Sequence, residues 1–160
     1  MDVDAKKKAL RTLTYGLYVV TATAEGEFAA GTVSWLSQAS FTPPMVVVGL
    51  KAGSRLQTHV EANGAFAVNI LGAEQQAIAG AFFRLTDIEP GRLNGYAFEP
   101  GPTTDAPLLL DAPAWFEARI VHTFRGGDHV ICVAEVVNAG VRDAAAKPLA
   151  LRDTPWSYAG

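Results

Sequence analysis

Cysteine occurs once, at Cys132. A lone cysteine excludes an intrachain disulfide and a cysteine-built metal cage, and it sets a reducing, cytoplasmic setting as the expectation. Charge is also sparse: 18% of residues are charged, the formal net charge is −3, and no basic block occurs. Nothing in this balance draws the chain to nucleic acid or anionic lipid. Every long apolar stretch is interrupted by Gly, Pro, Ser or Thr, so none reads as a membrane span. Lys6, Lys7 and Lys8 are not followed by the apolar run and small-residue site of a signal peptide. His59, His122 and His129 are scattered and no carboxylates are paired, so the sequence predicts no metal site. G-x-G-x-x-G, P-loop and G-x-S-x-G patterns are missing.

What is present is a globular composition. Hydrophobic residues make up 49% of 160 residues, enough to bury one sizeable core, and a single domain over 1–160 is expected. Asp4 to about Thr14 reads as a short helix with Asp4 at its N-cap and Leu10 and Leu13 facing inward. Leu17–Ala24 and Phe28–Leu36 read as strands joined by a hairpin turn at Glu25-Gly26. Met45–Leu50, after Pro43-Pro44, reads as a strand buried on both faces. Ser54 and Gln57 form a capping-box pattern that predicts a helix over Arg55–Asn63, stopped by Gly64.

Ala65–Leu71 then reads as strand and Ala73–Phe83 as helix. The Gly/Pro-rich stretch Leu85–Pro113 reads as an ordered excursion without regular structure. Trp115–Arg125 alternates, with Phe116, Ala118, Ile120 and Phe124 on one face and Glu117, Arg119, Thr123 and Arg125 on the other. His122 falls on the apolar face and His59 on an exposed helix position. After the turn at Gly126-Gly127-Asp128, His129–Val141 is a further strand. Strands without regular strand–helix alternation predict a mainly β, antiparallel barrel with a few short flanking helices.

Three segments carry candidate chemistry. Small hydroxyl residues cluster in Thr32-Val33-Ser34-Trp35-Leu36-Ser37-Gln38-Ala39-Ser40, and period-2 geometry puts Thr32 and Ser34 on one face, Val33 and Trp35 on the other. Adjacent hydroxyls can bind an anion or a polar ring edge, and a frayed strand end over Ser37–Ser40 would add backbone N–H groups. Taken alone, such a run is ordinarily satisfied by its own backbone. Lys51, Ser54, Arg55 and Thr58 surround a helix start, where unpaired N–H groups and positive charge suit a phosphate. An ordinary capped surface helix has the same look, so the pairing with the hydroxyl strand is what points to a ligand. The third segment is Gly127-Asp128-His129, where a carboxylate beside an imidazole can fix its tautomer; a capped turn is the ordinary alternative.

The run Thr32 to Pro44 resembles the FMN-binding signature of the flavin reductase-like family, in the flavour found as a module of flavodiiron proteins. Similarity continues through Tyr15–Thr21, Gly64–Leu71, Ala114–Glu117 and Gly127–Ile131, spanning roughly residues 9–142. The resemblance implies a split β-barrel homodimer with FMN, or FAD in its place, and NADH or NADPH as electron donor. It places Thr32, Val33, Ser34 and Trp35 along the flavin's ribityl and phosphate side. Ser37, Gln38, Ala39 and Ser40 would meet the ring edge, mainly through backbone. Lys51, Ser54, Arg55 and Thr58 would hold the phosphate, Phe83 would sit near the ring, and His129 would help place the nicotinamide.

One departure is Ala134 before Glu135-Val136, where the family often has glycine. The implied activity is hydride transfer from nicotinamide to flavin, with electrons passed to a monooxygenase or another acceptor protein. Two other readings compete: a flavoredoxin-like FMN carrier reduced by a partner protein, and a related barrel holding haem or pyridoxal phosphate.

Overall fold

A computed structural model of the chain describes residues 1–85 and 87–158. It is mostly β, antiparallel throughout, with few helices, as the sequence predicts. Strands β1 (Tyr18–Ala24) and β2 (Glu27–Val33) form a hairpin whose turn residues Glu25 and Gly26 both have positive φ, at 52° and 80°. That backbone twist matches the twist of the strands it joins. A separate short strand follows, β3 (Leu36–Ser40), so the expected strand Phe28–Leu36 is in fact divided. β4 (Met45–Lys51), β5 (Ala65–Ile70), β10 (Ala114–Arg125) and β11 (His129–Val141) complete a seven-stranded sheet. Its order is β2-β1-β5-β10-β11-β4-β3, leaving β2 and β3 as the ladder's two edges.

The sheet wraps around one core. Val20 of β1, Val48 of β4, Phe66 of β5, Ala118 of β10 and Cys132 of β11 join one buried cluster with Leu56 and Val60 of helix α2 (Arg55–Asn63). Strands at distant places in the ladder meet there only because the sheet curls. On the other face of β1, Val19 packs with Leu71, Ile78, Phe82 and Leu149 in a second cluster. β1 is therefore covered on both sides, and Val19, Val20, Thr21 and Ala22 are all buried.

α2 starts and stops where the sequence predicts. Ser54 Oγ accepts from Gln57 N at 3.2 Å, and Gly64 ends the helix at φ 66°. The reciprocal half of the capping box is displaced by one residue: Gln57 Oε1 accepts from Gly53 N at 2.9 Å.

Several expectations are corrected. Helix α1 covers Val3–Arg11, and its N-cap is Asp2, whose side chain accepts from Asp4 N and Ala5 N. Leu10 and Leu13 are exposed, because α1 buries no residue against the sheet. Helix α3 is shortened to Gln76–Ala81. The Gly/Pro-rich excursion contains a small four-stranded sheet: β6 (Ile88–Glu89), β7 (Arg92–Leu93), β8 (Tyr96–Pro100) and β9 (Pro107–Leu109). Its short strands carry too few residues for a periodic signal to show.

The alternation of β10 also fails locally. Phe116, Ala118 and Ile120 share the core face as expected, but past the register shift between Ile120 and His122 the pattern is lost. Glu117, expected on the polar face, is wholly buried, whereas Phe124 and His122 are exposed. Thr103 N, Thr104 N and Thr104 Oγ1 donate to Glu117 Oε1 at 3.1, 2.7 and 2.7 Å, and Asn138 Nδ2 donates to Oε2 at 3.1 Å. These donors compensate the burial of the carboxylate.

Candidate functional site

The main cavity, about 620 Å³, opens between the β2 edge of the sheet and the end where β4 and β11 meet α2. Chain connectivity places its walls. β2 contributes Ala30 to Val33, and the chain then leaves the strand through Ser34 and Trp35. Because β2 ends at Val33, strict alternation stops there: Thr32, Val33, Ser34 and Trp35 all line the cavity, rather than two on each face.

Thr32 is spent on structure. Its Oγ1 donates to Ala79 O at 2.6 Å and its N–H to Phe82 O at 2.8 Å. These bonds pin the end of α3 to β2 and bring Phe83 into the lining. Ser34 differs: its Oγ is buried with no partner among the described residues, and so is Trp35 Nε1. Buried polar groups without partners cost free energy, so two of them in one cavity wall mark a place where a bound polar molecule would supply them.

The opposite wall is cationic. Lys51, Ser54 and Arg55 line the cavity at the start of α2. The turn before α2 is fixed by Ser54 N donating to Lys51 O at 3.1 Å and Ala52 N donating to Asp128 O at 3.0 Å. The second bond also ties this turn to the start of β11, which delivers His129 to the same cavity. Thr58 is exposed one turn along α2, outside the lining, with its Oγ1 donating to Ser54 O at 3.1 Å. Ser37, Gln38, Ala39 and Ser40 also lie outside it. They lie on the edge strand β3, which pairs on one side with β4 through Ser37, Gln38 and Ser40, with a register shift at Ala39. Gln38 Nε2 donates to Ser40 O at 3.4 Å.

His129 is held at both nitrogens. Its Nδ1 lies 2.9 Å from Asp128 Oδ1, and its Nε2 lies 2.7 Å from the Tyr158 hydroxyl. An ionised carboxylate only accepts, so Nδ1 carries the proton and Nε2 accepts from the phenol. The hydrogen bond from His129 holds the Asp128 carboxyl below its ordinary value. Burial pushes the Tyr158 phenol up, and the nearby Asp128 carboxylate adds to this, so the phenol stays a donor. Trp35 lies against the imidazole with ring centroids 4.4 Å apart.

Of the residues singled out from the sequence, Thr32, Val33, Ser34, Trp35, Lys51, Ser54, Arg55, Phe83 and His129 come together in one cavity. Sequence reasoning misses Arg84, Trp156 and Tyr158, which also line it. No motif marks the last two; a pair of aromatic residues in an otherwise polar closing segment was the one available signal. Among the described residues, no group of three or more His, Cys, Asp or Glu is placed to hold a metal, and no helix is long and apolar enough to cross a membrane.

The cavity therefore joins a cationic end, two unpartnered polar atoms and aromatic walls. A family model described as the flavin reductase like domain matches residues 10–155, and the chain belongs to that family. It is 33% identical over 153 residues to an NADH-dependent flavin reductase of Pseudomonas fluorescens, with 93% of this chain and 86% of the relative covered. It is 30% identical over 146 residues to diflavin flavoprotein A 1 of Synechocystis sp., covering 90% of this chain and 25% of that protein. Among solved structures, the flavin reductase of styrene monooxygenase from Pseudomonas putida S12 superimposes with a TM-score of 0.74. That match has 30% sequence identity and covers 93% of this chain and 91% of the other.

A flavin fits the residues present. Unpartnered Ser34 Oγ and Trp35 Nε1 offer hydrogen bonds to a polar ligand, and Lys51, Arg55 and the α2 start complement a phosphate.

Proposed function

We infer that this chain is an NAD(P)H-dependent flavin reductase that uses FMN and acts as one domain over residues 1–160. The observation that carries this reading is the convergence, in a member of this family, of the Ser34–Trp35 turn, the cationic α2 start and His129 on one cavity. A bound flavin supplies the two-electron redox chemistry that the lining side chains lack.

The chain's own residues do the rest. Lys51, Arg55 and the N–H groups headed by Ser54 hold the phosphate. Ser34 and Trp35 bind polar atoms along the ligand with Thr32 and Val33 beside them, while Phe83 supplies apolar wall. Thr58 supports the phosphate end by holding the first turn of α2. Ser37, Gln38, Ala39 and Ser40 continue the chain from Trp35 along edge strand β3, outside the cavity lining. A ring extending past the cavity mouth would meet their backbone, where N–H groups would stabilise negative charge. His129, its tautomer fixed by Asp128, places the nicotinamide.

The relative from styrene monooxygenase supports the reading that this chain hands electrons to a separate oxygenase or similar acceptor. Phe41, Val121, Phe124, Val137 and Val141 are exposed apolar residues, which supports the homodimeric split-barrel arrangement. The absence of a second cysteine agrees with a cytoplasmic setting.

The test is anaerobic. Purified protein loaded with FMN should show flavin absorption bands that bleach on adding NADH or NADPH. Protein that stays oxidised with an excess of both overturns the reductase reading. Slow bleaching by nicotinamide with rapid reduction by a partner protein would identify a carrier instead.

A further inference from the structure

Tyr158 lies outside the residues matched by the family model, yet it makes the shorter of the two hydrogen bonds to the His129 ring. The segment that carries it crosses the cavity. Thr154 Oγ1 donates to Leu151 O at 2.7 Å, and Trp156 N donates to Thr154 Oγ1 at 3.2 Å, which fixes the direction of the chain. Trp156 then packs edge-on against Phe83, with centroids 4.6 Å apart. It also lies over Gly80, where an added Cβ would stand 3.3 Å from the indole. Two residues later Tyr158 reaches the far wall, with its ring 5.2 Å from Trp35 and its hydroxyl on His129.

We propose that Tyr158 is a positioning residue for the nicotinamide half of this site, acting through His129. The inference rests on the reading that His129 meets the nicotinamide. Asp128 alone is a weak anchor, because its side chain is 93% exposed to solvent and water competes for it. A second hydrogen bond at the opposite nitrogen removes the imidazole's remaining freedom to swing about its Cβ–Cγ bond. The phenol suits this role, because its ordinary value of 10.0 lies well above neutral pH, which leaves it a donor, and contact with Trp35 fixes its ring. Anchored by Trp156, the segment sets the imidazole against Trp35 before any substrate enters, and that preorganisation favours binding.

The experiment compares Y158F, H129A and the double variant in the full-length protein. Y158F keeps the ring contacts and removes only the hydroxyl. Its KM for NADH should rise about fivefold, the effect of one neutral hydrogen bond, with kcat changed less than about twofold. The dissociation constant for FMN, read from quenching of flavin fluorescence, should be unchanged. The ¹⁵N resonance of His129 Nε2 should shift in Y158F, a readout independent of turnover. In the H129A background, Y158F should add nothing, because the two residues act as one unit.

A wild-type KM in Y158F, with KM raised in H129A, overturns the inference and leaves the reading of His129 standing. Independent, additive effects of the two substitutions also overturn it. Unchanged NADH kinetics in H129A overturn the reading of His129 and the inference with it.

Discussion

The guanidinium of Arg55 stands 2.8 Å from the carboxylate of Glu27, joining the start of α2 to the start of β2. Arg55 is also a cavity-lining residue and one of the cations proposed to hold a phosphate. Its resting partner is therefore an internal competitor for the anion. Both side chains are at least half exposed, so the pair contributes little to stability, within about 1 kcal/mol.

Removing that competitor should tighten phosphate binding. E27Q is expected to lower the dissociation constant for FMN by about two- to fivefold, the range set by an exposed ion pair. Riboflavin, which has no phosphate, should bind E27Q and wild type alike. Parallel fluorescence titrations at low and high salt check this, and the difference should shrink as salt rises.

Ser34 and Thr32 should respond in opposite ways to loss of their hydroxyls. Ser34 Oγ has no partner among the described residues, so S34A should leave the melting temperature of flavin-free protein unchanged or slightly raised while weakening flavin binding about tenfold. Thr32 Oγ1 bonds to Ala79 O, so T32V should lower stability by about 1 kcal/mol. Thermal unfolding and flavin titration on both variants separate the roles.

Glu117 should be among the most costly residues to remove. Its carboxylate accepts from Thr103, Thr104 and Asn138, and E117A leaves these donors without their acceptor in a buried place. A loss of roughly 3 kcal/mol or more is expected from urea unfolding. Gly101 packs so closely on Glu117 that an added Cβ would clash with Oε1, so G101A should be destabilising as well.

The Asp128–His129 pair fixes a pH dependence. The folded carboxyl titrates below its ordinary value because His129 donates to it. A depressed carboxyl contributes stability above the unfolded pKa, and that contribution is lost as pH falls through the folded pKa. The pairing should therefore persist at neutral pH and fail only in acid below the usual carboxylate range. An NMR titration of the Asp128 carboxyl should show its midpoint moving up toward 3.8 in H129A.

Cys132 should be inert while the chain is folded. It is wholly buried in the core, and burial pushes its thiol up to about 11, so little thiolate exists at neutral pH. Alkylating reagents should label it only after denaturation, and mass spectrometry before and after adding urea reads this directly.

Much of the fold was legible because it depends on neighbours in the chain. The capping of α2 by Ser54, its stop at Gly64 and the Glu25-Gly26 turn are short-range geometry, and all three stand. The strands that form β4 and β11 were equally plain, since their composition favours strand on its own. Failures fall where a distant contact overrides the local pattern. Glu117 looked like a solvent-facing residue because alternation cannot report a loop from 101–104 that arrives with its donors and covers that face. Leu10 and Leu13 looked inward-facing because amphipathicity records an apolar stripe, not whether anything covers it.

The site divides along the same line. The sequence by itself determined the chemistry available: hydroxyls before the Pro43-Pro44 turn, cations at a helix start, and an imidazole beside a carboxylate. Each of these is a property of residues within one helical turn or one strand step. Only the tertiary structure decided which of them share a cavity. Curling of the sheet brings the end of β2 opposite the start of β11, while Ser37–Ser40 go to an edge and Thr58 to the surface. It also decided that Ser34 Oγ has no partner among the described residues while Thr32 Oγ1 has one, and that Tyr158 closes on His129. Those outcomes depend on which backbone atoms arrive from remote parts of the chain, and no local pattern encodes them.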